Sequence, residues 1–136
     1  MISVVSLLNL VLCSYVTSAF VMQMIVHFPF MNWDMYAEDN LKYTAYWYAI
    51  PLIAEMATAW SEIEKDWYPV TTILLCLGWL LCIPLWYYQI KMSEDRVEGR
   101  YISESTTETI IILSRARGVV WLARLIMLTI WIVQNM

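Results

Sequence analysis

The sequence predicts an all-α fold, an integral-membrane four-helix bundle, and three observations carry that expectation. Of the 136 residues 61% are hydrophobic and only three are Gly, outside the range of an ordinary soluble domain. Four windows are long enough to cross roughly 30 Å of hydrocarbon: Ile2 to Val26, Tyr43 to Trp60, Trp67 to Ile90 and Ile110 to Val133. The last of these carries Arg117, Trp121 and Arg124 on one face, as a bundle-facing stripe would. Spans must satisfy their own backbone groups in lipid, which at this chain length means helices and not a barrel. A single domain over residues 1–136 follows.

The first window lacks the basic n-region of a signal peptide, and at about 25 apolar residues it exceeds a typical h-region, so it reads as an uncleaved anchor. It should end near His27-Phe28-Pro29-Phe30, where Pro29 removes a backbone donor and biases Phe28 away from helix. Trp33, Tyr36, Tyr43, Tyr46, Trp47 and Tyr48 follow as an aromatic belt at headgroup level. The second window is the shortest and most polar. Trp60, Trp67 and Tyr68 form the opposite belt around the acidic turn Ser61 to Asp66, so helices 2 and 3 are expected to make an antiparallel hairpin. Trp86, Tyr87 and Tyr88 return the chain to the first belt. Pro51 and Pro84 lie within spans 2 and 3 and are expected to kink them and free backbone carbonyls.

From Lys91 to Glu108 charges of both signs alternate around Gly99, which reads as a solvated helical extension or loop. Ser105-Thr106-Thr107-Glu108 has capping-box spacing and is expected to start helix 4. Orientation follows the cations alone. Lys42, Lys91, Arg96 and Arg100, with Arg115 just inside helix 4, lie on one side against Lys65 on the other, which places the first and third connections in the cytoplasm and both termini outside.

Composition also excludes function classes. A net charge of −4 with no Lys/Arg cluster offers no phosphate-neutralising surface, so no nucleic-acid partner is expected. Cys13, Cys76 and Cys82 are odd in number, lack C-x-x-C spacing and read as small buried apolar residues. No nucleophile-base arrangement, phosphate loop or glycine-rich turn is present.

Arg117, Trp121 and Arg124 fall within about 60° of arc at 100° per residue and form a polar stripe roughly 10 Å long. A central Arg costs about 2.5–3.5 kcal/mol on insertion scales, so the pair must face the bundle or serve a site. Glu55 is the only acid inside a predicted span. Counted from their cytoplasmic helix ends, Glu55 lies about 18 Å and Arg124 about 21 Å along the axis, so the two are expected to pair. An ion pair that fixes helix register is the favoured role; a proton-relay or substrate-binding acid is the alternative. Gln23 and His27, one helical turn apart, form a candidate ligand-binding face beside Met22, Met24, Met31 and Met35. Haem or copper at His27 is weighed against an interfacial hydrogen-bonding histidine. With a single His and no H-x-x-H or H-E-x-x-H spacing, neither a metal nor another cofactor is expected.

Several segments together resemble a family of small, uncharacterised four-helix bacterial membrane proteins, distantly similar to anthrone-oxygenase-like proteins. Gln23-Met24-Ile25-Val26-His27-Phe28-Pro29-Phe30 looks like the family's His-aromatic-Pro motif at the end of helix 1. Pro51-Leu52-Ile53-Ala54-Glu55 resembles its Pro-x-x-x-Glu, Ile83-Pro84-Leu85 its helix 3 motif, and Arg117-x-x-x-Trp121-x-x-Arg124 its Arg-x-x-x-Trp-x-x-Arg. The resemblance spans nearly the whole chain and implies a bacterial inner-membrane location. Where family members carry further His and Arg, this chain has Asn40, Lys42 and Trp86, which fits a retained structural core better than a retained catalytic site.

The expected function is therefore a non-catalytic accessory or scaffolding subunit of a larger integral-membrane assembly, of a redox or energy-transducing kind, in contact with lipid and with other membrane subunits. The polar core would be Glu55, Arg117, Trp121 and Arg124. The rival is a small oxygenase- or isomerase-like membrane enzyme acting on a hydrophobic substrate, with Glu55 as acid/base and Arg117 and Arg124 holding an anionic group. An ion or proton carrier is weaker, because one paired acid makes no continuous relay.

Overall fold

A computed structural model of the chain describes residues 3–22, 24, 49–61, 69–101 and 103–136. These residues build four helices: α1 (Val4–Met22), α2 (Ile50–Ser61), α3 (Pro69–Val97) and α4 (Glu104–Gln134). Helices α1, α3 and α4 are long and apolar enough to cross a membrane, and α2 is a shorter apolar helix. The fold is an all-α helical bundle embedded through its apolar helices. Of the expected second span, residues 43–48 lie outside the described residues, and the 12 residues of α2 account for about 18 Å of helix. The Pro29 helix end, the first aromatic belt and the acidic turn also lie outside them.

Helix ends are set by local chemistry and not by hydropathy, and here the structure corrects the expectation. Helix α3 continues past Ile90 to Val97, the helical extension that the charged stretch allowed, but α4 begins at Glu104, capped by Ser103 and not by Ser105. Lys91, Met92, Glu94 and Arg96 are good helix formers, and no Gly or Pro between Lys91 and Arg96 breaks the helix. What ends α3 is Gly99, in the left-handed region at φ 73°. Gly99 N–H donates to the Arg96 carbonyl at 3.1 Å and Arg100 N–H to the Asp95 carbonyl at 2.7 Å, the paired bonds of a Schellman turn. Arg100 then folds its side chain onto Asp95, with Nε 3.2 Å from Oδ1, and onto Glu98.

Ser103, not Ser105, caps α4. Its Oγ accepts from Thr106 N–H at 3.2 Å and meets Thr106 Oγ1 at 2.8 Å, so a hydroxyl takes the place the capping box gives to Glu. Glu104 in the first turn suits the helix dipole, and the Ser105–Glu108 pair already lies inside the helix. Ser3 performs the same service for α1, accepting from Ser6 N–H at 3.1 Å. Pro69 is the first residue of α3 and Pro51 the second of α2. Pro84 lies in the interior of α3.

The buried positions recur every three or four residues: Ser6, Asn9, Cys13, Val16, Thr17 and Phe20 on α1; Thr106, Ile110, Ser114, Arg117, Trp121, Arg124, Leu128 and Ile132 on α4. This spacing lays one stripe along each helix, and its small and polar members are what membrane helices use to approach closely and bond. Helix α4 is the centre of the bundle, packing along α3 and along α1, while α2 lies against α1. One core joins Cys13, Val16, Phe20, Leu52, Cys82, Trp121, Leu128 and Ile132; a second, nearer the α3–α4 turn, joins Leu85, Met92 and Ile110. Among the described residues α2 and α3 form no extended interface. Between them runs an open apolar groove of about 380 Å³ lined by Ile53, Met56, Ala57, Trp60 and Trp79.

Candidate functional site

The deepest polar group of the bundle is assembled from three helices. On α2, Leu52, Glu55 and Ala59 make the buried face, so the helix turns its one acid inward. On α4, Trp121 and Arg124 lie one turn apart and meet it. Arg124 forms an ion pair with Glu55 through Nη1 and Oε1, and Trp121 donates its indole Nε1–H to the second carboxylate oxygen at 3.0 Å. Glu55 is 0% and Arg124 1% exposed, so the charges are removed from solvent entirely.

Helix α1 completes the cluster. Asn9 donates through Nδ2 to the Glu55 backbone carbonyl at 3.0 Å and to Thr58 Oγ1 at 2.9 Å, and its Oδ1 lies 3.4 Å from Arg124 Nη2. One amide thereby bridges three helices. Arg124 Nη1 also reaches Cys13 Sγ at 3.2 Å. Thr17 donates to the Trp121 carbonyl at 3.3 Å, tying the first helix to the backbone of the fourth.

Arg117 shares the stripe with Arg124 but meets different partners. Its guanidinium lies over the Phe20 ring, 3.8 Å from the centroid, and within reach of the Cys82 thiol. Phe20 in turn meets Trp121 edge-on at 5.1 Å between ring centroids. Trp121 is therefore fixed between the two arginines, its ring against α3 at Gly78. A Cβ on Gly78 would fall within the indole, 2.6 Å from Cη2 and 2.9 Å from Cε3, so this close approach requires glycine.

The structure thus brings together four residues that the sequence singles out, Glu55, Arg117, Trp121 and Arg124, in one enclosed core. Gln23 and His27 lie outside the described residues. The cysteines divide: Cys13 and Cys82 are buried beside guanidinium groups, while Cys76 faces outward, which corrects its reading as a buried residue. Sequence reasoning passed over Asn9, Thr17, Thr58 and Gly78. A signal existed for Asn9, the lone amide in the middle of an apolar span, in helical register with Cys13 and Thr17. Among the described residues no three His, Cys, Asp or Glu side chains converge as metal ligands.

Compared with known family models, curated proteins and solved structures, the chain matches none. What the site can do must be read from its chemistry. Every oxygen of the Glu55 carboxylate is engaged within the bundle, by Arg124 or by Trp121. Such a group is set to hold helices in register, since separating it would leave a charge unpaired in a low-dielectric interior.

Proposed function

We propose that this chain is a non-catalytic scaffolding subunit of a larger integral-membrane assembly. The observation that carries the reading is the enclosure of the Glu55–Arg124 pair: its charges are spent on each other, on Trp121 and on α1. A catalytic acid has to meet a substrate, and a carboxylate at 0% exposure with both oxygens occupied has no face to offer one. That geometry speaks against the enzyme reading, in which Glu55 and the two arginines would line a pocket.

A second feature supports the subunit role. Among the described residues the bundle is packed on three of its seams, and on the fourth α2 and α3 leave the groove lined by Ile53, Met56, Ala57, Trp60 and Trp79. Trp60 is 67% and Ile53 58% exposed there. The occupant that fits is an apolar transmembrane helix of another subunit, laid against the short α2. The assembly belongs to a bacterial inner membrane, with the α3–α4 turn on the cytoplasmic side, where Lys91, Arg96 and Arg100 lie, and both termini opposite. The class of assembly we assign it to is a redox or energy-transducing complex.

Native electrophoresis after mild detergent extraction, with mass spectrometry of the band, tests this. A large particle with defined stoichiometric partners is expected, and a cross-linker placed at Ala57 should capture the same partners. A stable particle holding only this chain, active on a hydrophobic substrate, would overturn the proposal.

A further inference from the structure

The buried side chains fall into two groups along the α3–α4 pair. The larger takes in Phe20, Leu52, Cys82 and Trp121; the smaller, nearer the turn, joins Leu85, Met92 and Ile110, with Tyr88, Ile111 and Leu113 packed against it. On α3 the break between the groups falls at Pro84, and on α4 it falls where Ser114 and Gly118 lie. Cys82 stands against Arg117, so the two breaks share one level.

Each helix is weak at that level for its own reason. Pro84 has no N–H to give the Leu80 carbonyl, and sharp bends in helices arise at proline and at Gly/Ser pairs. Ser114, one turn before Gly118, is 0% exposed and its hydroxyl makes no hydrogen bond. Other helical hydroxyls of this chain turn back to the preceding turn: Ser14 to Leu10 O at 2.8 Å, Thr109 to Ser105 O at 2.7 Å and Thr129 to Leu125 O at 2.8 Å. That bond favours a bent helix, so bending α4 here offers Ser114 the Ile110 carbonyl that the straighter helix withholds.

The neighbouring helices stop at the same level. The first helix reaches Gly118 through Met24. Glu55 lies midway along α2, so neither end of α2 is more than about 9 Å from the level of Arg124, whereas Ser114 is about 15 Å from it. Among the described residues the outer part of the α3–α4 hairpin therefore extends past α1 and α2. Its two helices are joined there by the Leu85, Met92 and Ile110 core, and its end is set by the Gly99 turn, the Arg100 ion pairs and the Ser103 cap.

We propose that this outer hairpin, residues 85–97 and 104–113, is a hinged arm that turns as one body about the level of Pro84 and Ser114. The inner side of the hinge is fixed by Trp121 against Gly78, Arg117 over Phe20 and the Glu55–Arg124 pair. The Trp86 ring packs with the inner core, edge-on to Trp79 at 6.0 Å between centroids, and limits the swing. The stretch from Leu85 to Val97 is about 20 Å long, so a bend of about 20° carries its tip about 7 Å. Contact at the charged tip can thus change the angle of the hairpin without opening the ion-paired core.

Distance measurements between spin labels by electron paramagnetic resonance, on the full chain in lipid nanodiscs, test this. Cys76→Ser removes the exposed native thiol, while Cys13 and Cys82 are 0% exposed. One label is placed at the tip through Tyr101→Cys and the second, in separate samples, through Val11→Cys or Ile73→Cys, exposed positions of the inner half. A spread of about 5 Å or more is expected for at least one tip pair, against a narrow distribution between Val11 and Ile73. Pro84→Ala, which restores the missing donor, and Ser114→Ala, which removes the hydroxyl that gains from bending, should each collapse the spread. Ser14→Ala, whose hydroxyl is already bonded to Leu10 O, should leave it broad. If Pro84→Ala does not fold, Ser114→Ala carries the test. Tip distances as narrow as the inner pair, or a spread indifferent to Ser114→Ala, would overturn the proposal. The readout uses one chain in a bilayer, so it stands or falls independently of whether partner subunits are found.

Discussion

The Glu55–Arg124 pair allows the scaffold reading to be tested energetically. Glu55→Gln is a narrow perturbation, because Asn9 holds the Glu55 backbone carbonyl and not its side chain, and a glutamine oxygen still accepts from Trp121. What it removes is the charge, leaving Arg124 with Asn9 and Cys13 as its neutral partners. Breaking one side of a buried pair costs about 3–5 kcal/mol, because the remaining ion is uncompensated. Arg124→Met should cost a similar amount, stranding the carboxylate with the indole alone. The double variant removes both charges, so it is expected to be more stable than the sum of the singles predicts by about 2–3 kcal/mol. Equilibrium unfolding by SDS in mixed micelles, followed by far-UV circular dichroism, measures all four corners of the cycle. Additivity of the singles within about 0.5 kcal/mol, or a Glu55→Gln protein as stable as the wild type, would refute the role assigned to the pair.

The two interior helical glycines should behave oppositely in the same assay. Gly78→Ala drives a methyl into the Trp121 ring and should cost about 1–3 kcal/mol, with partial recovery when Trp121→Leu makes room. Gly118→Ala meets the flexible Met24 side chain, with Sδ 3.1 Å from the new Cβ, and should be neutral or stabilising by up to about 1 kcal/mol. At the head of α4, Ser103→Ala should lose about 1 kcal/mol of stability by removing the cap, whereas Ser105→Ala should stay within about 0.5 kcal/mol. Arg117→Lys keeps the charge but loses the planar face over Phe20; a drop of about 1 kcal/mol in unfolding free energy is expected, and no change would show that the stacking contributes nothing.

How far the site was legible depended on the kind of residue. A charged group inside an apolar span announces itself, since the cost of burying it demands a partner, and Glu55 could be matched to Arg124 by depth alone. Asn9 and Thr58 are cheaper to bury and gave a weaker signal, although together they bind α1 to α2. The fates of the two arginines were not separable in sequence, because they share one face; it is the placement of Phe20 on α1 that gives Arg117 a ring where Arg124 has a carboxylate. Gly78 carried no sequence signal, since its need arises only when a Trp on another helix presses against it.

Helix limits divide in the same way. Hydropathy located the apolar segments and the charge pattern allowed a helical extension beyond Ile90, but where the helices stop and start was set by the Gly99 turn and the Ser103 cap. By itself the sequence determined an all-α membrane bundle and the polar stripe of its last helix, because apolar length and the cost of a buried charge are properties of each segment alone. Which residues meet across the helices, that Trp121 closes on Gly78 and that α2 and α3 leave a groove among the described residues, was decided only by tertiary packing, since contact depends on the relative rotation of helices far apart in the chain.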